Sequence, residues 1–554
     1  MDIAWFEPST LITGTQRVMN YYGYDYLGNP TGTDIDFFEF FNATEVVNGR
    51  EIKSRPISPN KPIYLAGYIQ DKFTYKDIIC NIGVRFDSYD ANTQVLKDPY
   101  SITGYETAAE FESGSSLYSA GNDPDYVRPT NIGDDFAVYV NDNNADATVV
   151  GYRSGEQWYN SQGIPVNTPT ELGTVFVPAL KGFGTSQIEP QGDNYRPEDA
   201  FRDYTPTLII MPRIAFSFPI SKEANFYANY DVLAMRPPDG AFATPLTYYN
   251  FNELAADSYI GNPNLRPQRT INYEVGFQQK LTDYSKFKLS LLYREERDLI
   301  QVREYIAAYP ITYSSFGNDD FSTTKSFKLE YDMREHKNLR ILANYTLAFS
   351  EGTGSSPTSS AGVAAEELKY VFPLNFDQRH TFYLMLDYRF KSGDKYDGPK
   401  IGKFDVLENT GVNLAFNVFS GRPYTRKEVP GGIGTSFPNR ITDGSVNGAR
   451  MPWNFRIDLK FDRDITIGKK SKNPVYVNVY LRVQNLLNTQ NVLSVYSVTG
   501  SPTDDGFLTS AGSPGPGFAS SQPASYELLY NLRMVNPYNI SRPRRIFLGA
   551  RFSF

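Results

Sequence analysis

The final ten residues, Arg545 to Phe554, read as one complete membrane-crossing β-strand. Ile546, Leu548, Ala550, Phe552 and Phe554 fall on one side, and Arg545, Gly549, Arg551 and Ser553 on the other. This period of two separates a lipid-facing row from a water-facing one. A terminal strand of a soluble β-sandwich alternates in the same way, so the rest of the chain has to choose between the two architectures.

Aromatics are abundant, with 41 Tyr and 38 Phe in 554 residues, yet the mean hydropathy is −0.43. No apolar run reaches the roughly 18 residues that a transmembrane helix needs. A barrel keeps a low average hydropathy because only alternate residues meet lipid. Cys80 is the one cysteine, and His336 and His380 are the two histidines. An intramolecular disulfide is therefore excluded, two histidines and one cysteine are too few to suggest a zinc or haem site, and no cofactor is expected. A net charge of −8 with no basic stripe argues against a nucleic-acid partner.

Long alternating strands recur along the chain. Ile63 to Phe73 and Ile78 to Asp87 flank a tight turn, and Ile214, Phe216 and Phe218 are followed by Phe226, Ala228, Tyr230 and Val232 across Pro219 to Ala224. Tyr273, Val275 and Phe277 are followed by Phe287, Leu289, Leu291 and Tyr293, with Lys286, Lys288, Ser290 and Arg294 on the other face. Leu339 to Ser350, Phe382 to Phe390, Gly411 to Phe419, Phe455 to Ile465 and Val475 to Asn485 repeat the pattern. Soluble sandwiches use strands of about five or six residues, and these run to ten or more. The fold class is all-β: a transmembrane antiparallel β-barrel with long extracellular loops and about fourteen membrane strands in this chain. Tight turns alternate with Gly-, Asn-, Asp- and Pro-rich insertions, the longest between Tyr89 and Pro206. With no internal repeat beyond the hairpin and no dividing linker, residues 1–554 read as a single barrel domain. Met1 to Trp5 lacks the character of a signal peptide, so export is expected to be encoded upstream or not at all.

Several segments carry a more specific likeness. They are Gly261-Asn-Pro-Asn-Leu-Arg-Pro267 leading into Asn272 to Gly276, Asp377-Gln-Arg-His-Thr-Phe382, Ser420-Gly-Arg-Pro-Tyr-Thr425, Asn447-Gly-Ala-Arg-Met-Pro-Trp453, and Val483-Gln-Asn-Leu-Leu-Asn488. In this order, and with this ending, the chain resembles the carboxy-terminal barrel of TonB-dependent outer-membrane receptors, in the SusC-like or a related branch of Bacteroidota. Gly549, Phe552 and Phe554 resemble the carboxy-terminal membrane-insertion signal of outer-membrane barrels. The resemblance implies a multi-pass barrel in the cell outer membrane that actively imports an extracellular solute, a glycan, peptide or metal chelate. It also implies contact with outer-membrane lipid, coupling to TonB through an amino-terminal region missing here, and a surface lipoprotein partner. Such receptors carry a plug and about twenty-two strands, so this chain is expected to be an incomplete part of a barrel without plug and coupling motif. An open sheet in a bilayer leaves two unpaired edges. A longer chain, a split partner or a smaller closed barrel would each resolve that. A structural subunit of an outer-membrane complex and a passive pore stand as alternatives to the importer.

Candidate sites are few. No nucleophile is accompanied by a base and an orienting group, so no enzyme is expected. Asp142, Asn144 and Asp146, with Asp134 and Asp135 nearby, offer alternating oxygens but lack the glycine and the bidentate Glu of a calcium loop, and a solvated acidic loop is the plainer reading. Trp158, Tyr159, Tyr248, Tyr249 and Tyr259 have flat faces suited to a sugar or peptide, or to packing within loops. Arg213, Lys286, Lys288, Arg294, Arg340 and Arg551 share the inward face with Glu274, Glu330, Asp387 and Asp458, as either a hydrated wall or a docking surface for a plug.

Overall fold

The computed structural model describes residues 12–13, 16–17, 30, 35–113, 126–142, 147–181, 190–192, 195–237, 242–253, 259–359, 370–428, 442–468, 475–509 and 523–553. One antiparallel sheet dominates. Its path contains β1 (Ile63–Tyr75), β2 (Ile78–Asp90), β3 (Thr207–Pro219), β4 (Ala224–Met235), β5 (Gln268–Thr282), β6 (Ser285–Tyr305) and β7 (Tyr313–His336). It continues through β8 (Leu339–Gly352), β9 (His380–Arg389), β10 (Thr410–Phe419), β11 (Asn454–Ile467), β12 (Val475–Gln484) and β13 (Arg545–Ser553). Every strand pairs with its neighbour in sequence, and β1 and β13 are the two ends of the path. The sequence suggests about fourteen long strands, and among the described residues the path has these thirteen.

The register makes the two faces chemically distinct. Phe218, Phe226, Phe277, Leu289, Leu329, Tyr345, Phe382, Val418 and Phe455 lie side by side across β3 to β11. One step along the strands, Asn225, Gln278, Lys288, Glu330, Asn344, Tyr383, Asn417 and Arg456 form the opposing row. A continuous apolar row on one face and a hydrated row on the other is what lipid outside and water inside require.

Connections alternate as the composition suggests. Two-residue links join β1 to β2, β5 to β6 and β7 to β8 at one end, whereas the long connections from β2 to β3, β4 to β5, β8 to β9, β10 to β11 and β12 to β13 leave and return at the other. The turn residues Lys76, Lys337 and Asn338 take positive φ, the conformation that tight hairpin turns demand. The link between β9 and β10 departs from the tight-turn pattern, running through 390–409 with a small hairpin of its own.

β6 and β7 depart from the expectation more strongly. Alternation alone predicts a strand ending near Arg294, but β6 continues to Tyr305 and β7 reaches 24 residues. A tilted membrane strand needs about 9–11 residues, so this hairpin stands well above the bilayer as a mast. Against it packs a compact cap, whose core joins Phe40, Tyr100, Tyr139, Trp158, Tyr248 and Phe251 to Tyr305, Tyr309 and Tyr313 of the mast. The 91–206 insertion supplies a five-stranded sheet that includes Ala137–Val140, Val149–Ser154 and Gln157–Asn160.

Candidate functional site: inner wall and extracellular cap

The inner face of β1 to β6 encloses a concavity of about 840 Å³ lined by Arg85, Arg213, Asp231, Asn272, Glu274 and Arg294 among others. Its polar side chains are held in place by one another. Arg294 Nε donates to Asn272 Oδ1 at 2.8 Å, and Asn272 Nδ2 donates to Asp231 Oδ2 at 3.0 Å. Tyr227 donates its hydroxyl to Glu274 at 2.9 Å, and the Lys288 ammonium lies 5.1 Å from the Tyr227 ring centroid. Further round, Lys328 meets Glu330 at 2.5 Å, Lys286 meets Asp332 at 3.8 Å, and Arg340 stands opposite Asp387. Arg389 bridges Asp462 and Asp464 at 2.8 and 2.9 Å. Arg551 lies opposite Asn478 on the last strand pair. A wall of fixed, mutually paired charges can hold water and polar surface, and Leu233 and Leu292 add small apolar spots to it.

Two inward glycines lie beneath tyrosines. A Cβ on Gly276 would fall 2.2 Å from the Tyr227 ring, and one on Gly549 would fall 2.5 Å from the Tyr480 ring. Gly549, picked out by sequence as part of an insertion signal, therefore also has a packing role. Phe552 faces outward and is exposed, and Phe554 lies outside the described residues.

The cap is built around Arg153. Its guanidinium pairs with Asp98 with both side chains buried, and Nε donates to the Tyr139 hydroxyl at 3.1 Å. The rings of Tyr100, Trp158 and Tyr139 surround it at 4.5, 5.5 and 5.8 Å. Burial would favour a neutral Arg153, yet Tyr139 and Asp98 hold its pKa above the ordinary arginine value. Burial pushes the Tyr139 hydroxyl up to about 12 despite the adjacent cation. Arg303 of the mast pairs with Glu156, which accepts the Tyr100 hydroxyl at 2.9 Å, so charge as well as packing fixes the cap to β6. A cleft of about 300 Å³ lies where the cap meets the tops of β1 and β2, lined by Asp36, Phe37, Lys61, Asn92, Asp203 and Thr244 among others.

The aromatic candidates separate in this arrangement. Trp158, Tyr248 and Tyr249 are buried in the cap core, where their rings serve packing. Tyr159 is half-buried against Phe136, with ring centroids 5.4 Å apart. Tyr259 is exposed, edge-on to Phe316. Asp142 is an exposed loop residue, and Asn144 and Asp146 lie outside the described residues. Asp134 is taken by Arg128 at 2.6 Å. Among the described residues no group of three His, Cys, Asp or Glu side chains is placed to hold a metal.

The motif segments prove to be anchors for the long loops. Asp377 is fully buried. Its carboxylate pairs with Arg450 and accepts the Ser350 amide at 3.0 Å, while Asn447 Nδ2 donates to the Pro373 carbonyl and to Asn375 Oδ1, each at 2.8 Å. Ser420 Oγ accepts the His380 amide at 2.9 Å, and Gly421 passes so close to Met451 that a Cβ would lie 1.6 Å from its carbonyl oxygen. Asn485, at φ 56°, accepts the Thr489 amide at 3.0 Å, and its own amide donates to Asp458 at 2.8 Å. Asn262 and Arg266 tie the Gly261 to Pro267 segment to the mast through the Phe316 carbonyl and Asn318, at 2.7 and 2.8 Å.

Residues 191–418, from the last part of the cap insertion into β10, match the family described as "Outer membrane protein beta-barrel family". The antiparallel sheet, with one apolar and one hydrated face, has the fold of an outer-membrane β-barrel. No curated protein matches the chain. Among solved structures it is similar to the FrpB iron transporter from Neisseria meningitidis (F3-3 variant), at 11% identity and a TM-score of 0.39, covering 78% of this chain and 42% of that one. It is similar to the ferric-catecholate import receptor Fiu from K12 E. coli, at 13% identity and 0.39, covering 92% and 49%. It is also similar to the ferric yersiniabactin uptake receptor FyuA from Yersinia pestis, at 10% identity and 0.36, covering 78% and 41%. The chain thus spans less than half the length of each of these three.

Proposed function

We propose that this chain forms part of the wall and the extracellular cap of a receptor that actively imports an extracellular solute across the outer membrane, with energy delivered by TonB. The observation that carries this reading is the cap. A passive pore has no use for a folded body with its own aromatic core fastened to an overlong hairpin, whereas a receptor needs a preorganised surface outside the membrane. The paired charges of the inner wall fit the same reading, since they would face a plug or a hydrated passage.

The resemblance in the loop-anchoring motifs points to the SusC-like or a related branch of Bacteroidota, and hence to a glycan or peptide solute and a surface lipoprotein partner. Metal chelates, the cargo of iron receptors, are the other solute class. No catalytic role is assigned to any residue.

The test is growth of a strain lacking this gene on defined glycans, peptides or ferric chelates as limiting nutrient, with and without a functional TonB motor, alongside conductance of the native protein in planar bilayers. The importer reading expects one nutrient whose use is lost equally on removing the receptor or the motor, and closed bilayers. Steady conductance would indicate a passive pore. Unchanged growth on every nutrient with closed bilayers would indicate a structural subunit.

A further inference from the structure

The outer face of the sheet carries a girdle row four residues above the apolar band. Ile214, Tyr230, Tyr273 and Tyr293 lie side by side across β3 to β6, and Phe349 occupies β8. Between Tyr293 and Phe349 the row is broken on β7 by Lys325. Replacing a ring by a slender chain opens a groove of about 410 Å³, lined by Tyr273, Val275, Leu291, Phe327, Leu347 and Phe349, with Lys325 at its upper edge.

Lys325 is exposed, faces the bilayer side and has no ion-pair partner among the described residues. A lysine at this depth extends toward the headgroup level and needs an anion or water there. Four residues higher, roughly 13 Å along the strands, Arg269 and Arg297 stand directly opposite each other on the same face. Like charges in register repel. Arg297 is met by Glu295, while the buried Arg269 Nε has no hydrogen-bond partner among the described residues. Glu351 is the other carboxylate in the Glu295 row. With Arg269, Arg297 and Lys325 against Glu295 and Glu351, the patch is net cationic directly above an apolar groove.

We propose that this face binds a phosphate-bearing lipid of the outer leaflet, one acyl chain lying in the groove between Leu291 and Leu347 and the phosphate meeting Lys325. The inference rests on the membrane placement of the strands and is independent of what the protein transports.

The test is native mass spectrometry of the full chain extracted in mild detergent, titrated with dioleoyl phosphatidic acid and, separately, with dioleoyl phosphatidylcholine. One retained phosphatidic acid is expected, with phosphatidylcholine lost at low activation. Lys325→Gln is expected to weaken retention by about fivefold, and Lys325→Arg to preserve it. Leu347→Trp, which fills the groove without touching the charge, is expected to abolish it, and this variant decides the matter if Lys325→Gln fails to fold. Equal retention of the two lipids, unchanged retention in Lys325→Gln and Leu347→Trp, or displacement by excess inorganic phosphate would each overturn the proposal.

Discussion

Arg153 is the residue on which the cap turns. It brings a full charge into an aromatic core, matched by Asp98, with Tyr139 accepting from Nε. Deleting one member of a buried pair leaves the other uncompensated, which typically costs about 3–5 kcal/mol, whereas removing both costs far less. Arg153→Met alone is therefore expected to expose the cap to protease at temperatures where the parent resists. The double variant Arg153→Met with Asp98→Asn is expected to recover most of the resistance. Limited proteolysis across a temperature series reads this out, and additive losses would show that the two side chains act separately. Nothing in the local sequence marks this arginine, because its partner lies 55 positions away.

At the scale of the strands, the inward glycines make a sharper case. Gly276→Val places a side chain where the Tyr227 ring now lies, displacing the ring from Glu274 and Lys288 together. Overpacking of this kind costs about 1–3 kcal/mol, and Gly276→Val paired with Tyr227→Ala should restore much of it. The heat-dependent shift in gel migration of folded barrels measures the difference. The strands themselves were legible because lipid on one side and water on the other impose a strict period of two on every residue between them. That constraint ends at the membrane surface. Glu295, Glu296, Arg297 and Asp298 interrupt the alternation, and β6 runs on through them to Tyr305 because both of its faces there meet water or the cap. The cap was opaque for a related reason. Its strands have two to six residues and its core is assembled from Phe40, Tyr139, Phe251 and Tyr313, whose proximity no local pattern encodes. Trp158, Tyr248 and Tyr249 look like binding residues in sequence because an aromatic in a loop carries no mark of whether the loop folds.

Across the whole molecule, which face of the wall meets lipid and which meets water can be tested directly. In a Cys80→Ser background, cysteine at Leu289 should react with a lipid-soluble maleimide and resist a charged one, while cysteine at Lys288, one step along the same strand, should do the opposite. Equal reactivity of both positions toward the charged reagent in intact membranes would sink the transmembrane reading of β6. The polar row from Asn225 to Arg456 predicts the same contrast around the wall.

The way the cap is put together also dictates when it can exist. Its core draws on Phe40, on the stretch between β2 and β3, on Tyr248 and Phe251 between β4 and β5, and on the tip of the β6–β7 hairpin from Tyr305 to Tyr313. These pieces are separated by strands that must cross the bilayer, so they meet only once the wall between them has been laid down. Contacts of such long sequence separation form late. The cap core is therefore expected to close only after β1 to β7 have paired, which makes the outermost part of the protein later to form than the wall beneath it.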